Sequence, residues 1–316
     1  MNKKEKILTA TAITGTIVSA SAFTLFDYAI CRRKKQPDVR KKEKWKPYLD
    51  YVLKEQQWLK EHQEKELKEI KSKDGLTLRA AYIPRENAKG VIICMHGYHS
   101  TIDIEFVPEV RFLWNLGYSI LLPWQRSHGK SEGKYITYGI KERHDLKRWI
   151  LYTNRYLGAK NKNIFLCGIS MGCATTLMAA GLDLPANVRG IIADCGFTSP
   201  WDIIKHVAKE RFHLPPFPMM YMVDIISEIF AGFGLRDVSI PEIMKRNKIP
   251  VLFIHGDKDD YVPMWMTIKN YEACAAEKEL YIVQGAGHAL AFSKDMETGK
   301  KVIKNFLEKY TQSLSH

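Results

Sequence analysis

Short apolar runs recur through the carboxyl-terminal three-quarters of the chain: residues 91–95 (VIICM), 120–122 (ILL), 164–167 (IFLC), 188–193 (VRGIIA), 251–254 (VLFI) and 280–283 (LYIV). They are rich in β-branched residues and separated by stretches of helical spacing. That pattern predicts βαβ units around a mostly parallel sheet buried on both faces. Ahead of them, Asp74-Gly75 is a hairpin-turn signal, and the alternation Leu76, Leu78, Ala80, Tyr82 predicts a half-buried strand. Leu49, Val52, Leu53, Leu59 and Leu67 recur at helical intervals and predict an amphipathic helix leading into the domain. Between residues 197 and 248 the alternation breaks into a segment rich in Phe, Met, Pro and Ile. A terminal helix is expected from about residue 294.

The amino-terminal segment follows a different pattern. Residues 7–26 form an uncharged run long enough for a spanning helix, preceded by Lys3, Lys4 and Lys6. A cleaved signal peptide is the alternative, with Ala20-Ser21-Ala22 resembling a cleavage site. Apolar residues continue to Ile30, however, and Arg32-Arg33-Lys34-Lys35 then resists translocation, which favours an uncleaved membrane anchor. Three Lys or Arg before the run and nine after it place the remainder on the cytoplasmic side. The expected organisation is an anchor over 1–30, a basic connector and amphipathic helix over 31–65, and a catalytic domain over 66–316.

Net charge is +13, and residues 1–73 hold 18 Lys and Arg against 10 Asp and Glu. No nucleic-acid recognition motif accompanies these charges, so a membrane surface explains them better. Cys94, Cys167, Cys173 and Cys195 fall in or beside expected core elements without disulfide-like spacing, which suits reduced thiols.

Candidate chemistry begins at Gly168-Ile169-Ser170-Met171-Gly172, directly after the run 164–167 and before a helical stretch. Strand, G-x-S-x-G and helix make a nucleophile elbow, in which the tight turn exposes the serine hydroxyl. A serine hydroxyl needs an imidazole to take its proton, and the imidazole needs a carboxylate to orient it. His288 lies in Gly285-Ala286-Gly287-His288 after the run 280–283, and Asp257, Asp259 and Asp260 follow the run 251–254. Asp194, at the end of an earlier strand, is a further candidate acid. One oxyanion-binding amide should come from Met171, next to the nucleophile. There is no H-E-x-x-H, multi-cysteine metal spacing, Walker A sequence or complete dinucleotide loop, so neither a metal nor a cofactor is implied.

His96-Gly97, the stretch Arg126 to Gly133, the elbow, HGDKDDYVP and GAGHA together resemble the α/β-hydrolase superfamily, specifically its serine-aminopeptidase-like esterase group. The resemblance covers about residues 66–312. It implies an α/β-hydrolase fold with a small helical cap over residues 197–248, and a Ser170, Asp259, His288 triad. It also implies that the Tyr98 amide completes the oxyanion hole. Trp124-Gln125-Arg126-Ser127-His128-Gly129 departs from the pattern, since relatives usually carry Asp-x-Arg-Gly before His-Gly. The expected function is a membrane-anchored carboxylesterase acting through an acyl-enzyme on short-chain or small apolar acyl esters. A peptidase or acyltransferase on the same triad, or a non-catalytic binding protein of this fold, are the alternatives.

Overall fold

The computed structural model describes residues 19–33, 43–63, 66–160 and 162–311. Eight strands form one sheet in the order β1-β2-β4-β3-β5-β6-β7-β8. They are β1 Lys68–Lys71, β2 Thr77–Ile83, β3 Gly90–Met95, β4 Tyr118–Pro123, β5 Asn163–Ile169, β6 Val188–Asp194, β7 Val251–Gly256 and β8 Lys278–Val283. β2 pairs antiparallel with β1 on one side and with β4 on the other, and every other pairing is parallel. The apolar runs thus become the strands of the expected mostly parallel sheet. Side chains alternate across it: Val91, Ile93 and Met95 enter one core, Ile92 and Cys94 the other.

Helices cover both faces. The first core takes in α4 (Glu142–Tyr156), α5 (Met171–Ala179) and α9 (Met264–Ala273). The second takes in α2 (Leu49–His62), α3 (Val107–Asn115), α10 (Ala291–Lys294) and α11 (Met296–Tyr310). α2 buries Val52, Trp58 and Leu59, whereas Leu53 is exposed and Leu67 lies beyond the helix end. Tyr51 donates to the carbonyl of Pro108, and Gln56 to that of Asp103, which fastens α2 to α3 and the loop before it. All six cysteines are free thiols.

The insertion between β6 and β7 folds as α6 (Pro200–Phe212), α7 (Met219–Ala231) and α8 (Ile240–Met244). Ser199 caps α6 by accepting from the Asp202 amide, and Gly232 ends α7 in a left-handed conformation. The Ile240 amide donates to the Thr198 carbonyl, so the α6–α7 excursion starts and finishes at one point.

The amino-terminal expectation needs correction. Among the described residues no helix is long and apolar enough to cross a membrane. Residues 7–18 of the expected span lie outside the described residues. Residues 19–30 form a helix, α1, that packs on the body of the domain. Ala22, Leu25, Phe26, Ala29 and Ile30 make a buried stripe at three- and four-residue spacing. Beyond it, Arg32 and Ile136 exchange backbone bonds with Lys134 and Ile30 across a bridge between Cys31 and Tyr135. The Arg32 side chain donates to the carbonyls of Ser131 and Gly129. These residues bury their apolar surface in protein, where a spanning helix would offer it to lipid.

Candidate active site

β5 ends at Ile169, and the chain turns at once into α5. Ser170 at that turn has φ 57° and ψ −117°, a conformation held by its surroundings. Its amide donates to the Asp194 carbonyl, tying the turn to β6. Cβ atoms could not be accommodated on either side. One at Gly168 would stand 2.4 Å from the Gly172 carbonyl oxygen, and one at Gly172 would meet the end of β3. The glycines of the motif therefore serve close backbone approach.

The structure brings Ser170, Asp259 and His288 together from three loops. His288 Nε2 lies 3.0 Å from Ser170 Oγ, and Nδ1 lies 2.7 Å from Asp259 Oδ2. Asp259 Oδ1 accepts from the amides of Tyr261 and Val262, which fixes the carboxylate. Burial alone would raise the Asp259 carboxyl, but His288, then His255 and the Val262 amide, outweigh it and hold it below the ordinary range. Asp257 faces away and accepts from the Gly285 amide, shaping the His288 loop. Asp260 lies on the cleft wall. Asp194 is buried behind the elbow with Glu109, in a small apolar cavity. Cys195, Asp259 and His288 each have one ligand atom within 4.8 Å of the other two, but Asp259 and His288 already bond each other.

Gly97 and Tyr98 lie against the nucleophile: a Cβ on Gly97 would stand 3.1 Å from Ser170 Cβ. The Gly97 amide donates to Glu105, and the Tyr98 ring stacks on Tyr138. His96, His128 and His255 bind backbone around the site. His96 contacts the Gly97 carbonyl through Nδ1 and accepts from the Gln125 amide through Nε2, and burial pushes it down to about 4. His128 links the Arg126 carbonyl to the His99 amide, and His255 reaches the Val262 carbonyl and Thr267.

A cleft of about 570 Å³ opens over Ser170 and His288, with Trp45, Tyr98, Tyr261 and Arg211 on its walls. The Arg211 guanidinium sits 4.8 Å from the Tyr261 ring centre, and that ring lies 5.0 Å from His288.

The profile of the prolyl oligopeptidase family matches residues 132–314, which contain Ser170, Asp259 and His288. The chain belongs to this family. It is 29% identical over 256 residues to uncharacterized protein YqkD of Bacillus subtilis (strain 168), covering 80% of this chain and 82% of that one. A structure of the Pyrococcus furiosus esterase Pf2001 matches with a TM-score of 0.65 at 24% identity, covering 81% of this chain and 95% of that one. Another crystal form of Pf2001 gives 0.64 at 26%, over 81% and 94%. Est1E from Butyrivibrio proteoclasticus with ferulic acid gives 0.62 at 18%, over 77% and 98%, a likeness of fold alone. This prolyl oligopeptidase family member is an esterase-like serine hydrolase of α/β-hydrolase fold.

Two supports of the family member's site escape sequence reasoning. Arg126, in the loop that departs from the expected pattern, makes paired bonds to Asp145 and to Asp74. Beside it, Gln125 donates to the His96 carbonyl and accepts from Thr175 in α5. The second support is α1, whose Tyr28 carbonyl accepts from the Tyr98 hydroxyl at the cleft wall. The helical spacing of positions 22 to 30 was the available signal for α1; nothing local announces the partners of Arg126.

Proposed function

We propose that this protein is a carboxylesterase that cleaves short-chain or small apolar acyl esters through an acyl-enzyme. The observation that carries the reading is His288, with one ring nitrogen at Ser170 Oγ and the other at Asp259. Ser170 Oγ attacks the ester carbonyl carbon as its proton passes to His288 Nε2. Asp259 holds Nδ1–H and stabilises the imidazolium. The tetrahedral oxyanion takes the amides of Met171 and Tyr98. Collapse breaks the bond to the alkoxy oxygen, which leaves with the proton from His288. Water then attacks the acyl-enzyme by the same route, releasing the acid and restoring Ser170. Aromatic walls and the cleft's modest size favour small apolar groups over long polymers.

The test is hydrolysis of p-nitrophenyl butyrate together with fluorophosphonate labelling, both lost in Ser170→Ala. Retained turnover in that folded variant defeats the mechanism. A second reading, peptide-bond cleavage, is favoured by the family match. Aminoacyl p-nitroanilides cleaved faster than p-nitrophenyl butyrate would put it first.

We also propose attachment to the cytoplasmic face of a membrane. Residues 7–18 leave only twelve uncharged positions ahead of α1, fewer than the about 20 a spanning helix needs. Attachment to one leaflet therefore fits better than a span, helped by the basic residues after Cys31. External protease digesting the catalytic domain on intact cells defeats this placement.

A further inference from the structure

α7 presents an apolar face to solvent. Tyr221, Ile225 and Ile229 follow at four-residue intervals on one side of it. Phe217, Ile225, Ile229 and Phe230 are 51% to 75% exposed. Phe217 packs on Tyr221, and Phe230 meets Phe23 and Phe26 of α1, so the face continues from the cap onto the amino-terminal helix. Tyr28 of α1 then contacts Phe212, the neighbour of Arg211 at the cleft wall. One apolar surface thus runs from the back of the cap to the mouth of the active site. Contiguous exposed apolar surface of this kind marks an interaction site.

Three observations choose the occupant. The uncharged residues 7–18 precede α1, whose exposed Phe23 lies in this face. The rim is basic: Arg33 lies over Tyr28, Lys134 over Tyr135 and Arg236 over Tyr221, while Lys141 sits at the end of α7. Nearby acids are occupied or turned aside. Asp27 pairs with Arg33, Asp224 with Arg236, Glu210 with Lys209, and the Glu228 carboxylate lies over Gly234, which leaves Lys134 and Lys141 as the rim cations without a carboxylate partner in these pairs. An exposed surface with an apolar centre and basic residues at its rim matches an anionic lipid leaflet.

We propose that this face seats the enzyme on an anionic phospholipid bilayer, with the cleft mouth at its edge, so that ester substrates reach Ser170 from the membrane. The inference rests on the ester hydrolysis and membrane attachment proposed above.

The experiment uses full-length Ile229→Cys carrying an environment-sensitive naphthalene dye, with vesicles of equal parts phosphatidylcholine and phosphatidylglycerol. Wild-type protein treated alike is the control; its half-buried Cys31 has a thiol raised first by desolvation and reacts slowly. Dye emission should move to the blue on adding vesicles. The double variant Ile225→Glu/Ile229→Glu should keep the wild-type rate on p-nitrophenyl acetate but lose at least tenfold on the butyrate ester of a long-chain alcohol dissolved in the vesicles. An unmoved dye on protein that sediments with vesicles overturns the seat and leaves the attachment standing. Failure to sediment overturns both. Blue emission before vesicles are added shows the face already covered by protein, and also overturns the seat. Because the dye reads seating without turnover, wild-type inactivity on both esters counts against the hydrolase reading alone.

Discussion

A Cβ built on Gly172 would stand 1.7 Å from the carbonyl oxygen of Met95. The first turn of the elbow helix therefore rests on the backbone of β3, and no side-chain rotation can relieve the clash. Gly172→Ala should lose more than about 4 kcal/mol, lowering the unfolding midpoint by roughly 10 °C or abolishing soluble yield. A variant melting with wild type would show that β3 and α5 separate freely.

Asp259 and Asp257, both beside His288, predict a graded response. Asp259→Asn leaves the imidazole without its orienting carboxylate and should lower kcat on p-nitrophenyl butyrate about 10⁴-fold. Asp257→Asn, which disturbs only the bond to the Gly285 amide, should change kcat far less. Comparable losses at both positions would remove Asp259 from the proposed role.

Asp194 gives a pH dependence. Desolvation first, and the Asp259 charge second, push it up to about 8, against about 3.9 for a free side chain. The folded protein therefore holds a proton that the unfolded chain has lost between about pH 4 and 8. This contribution to stability is complete below the unfolded value and disappears as pH rises through the folded one. Melting temperature should fall across that window. Asp194→Asn, which imitates the neutral form, should flatten part of the fall while keeping esterase activity. Glu109, raised in the same direction first by burial, accounts for the rest. An unchanged slope in the variant would refute the assignment.

Arg126→Ala should cost about 3–5 kcal/mol, because it leaves Asp145 buried without its cation. Arg126→Lys should recover part of the loss but not all, since an ammonium cannot make the paired bonds to two carboxylates. Thermal melts of both variants check the order. Equal stability of Arg126→Lys and wild type would show that charge alone suffices.

Removing residues 1–18 should leave the melting temperature unchanged, whereas removing residues 1–33 should lower it sharply. The longer truncation takes away Leu25, Phe26 and Ile30, each buried and each contributing about 1.5–3 kcal/mol. If the longer truncation melts like wild type, α1 adds nothing to the body.

Sequence reading reached the sheet because parallel strands buried on both faces are apolar end to end, and it reached Ser170 because the elbow requires glycine on both sides. The loop after β7 held three acids in four residues, and only the direction of each carboxylate separates them. α1 was obscured for a different reason. Twenty uncharged residues suit a span by length, and the surface that covers Phe26 is Tyr135 and Phe230, more than a hundred residues away. Arg126 is equally silent, since its partners Asp74 and Asp145 sit on other elements.

Because the Ile240 amide closes back on Thr198, β6 and β7 pair side by side without regard to what the intervening helices contain. Descendants of this chain could exchange or enlarge α6 and α7 while the reactive serine kept its place. Substrate range and reaction chemistry are thus free to diverge at separate rates, with the cap as the part on which new specificities are first tried.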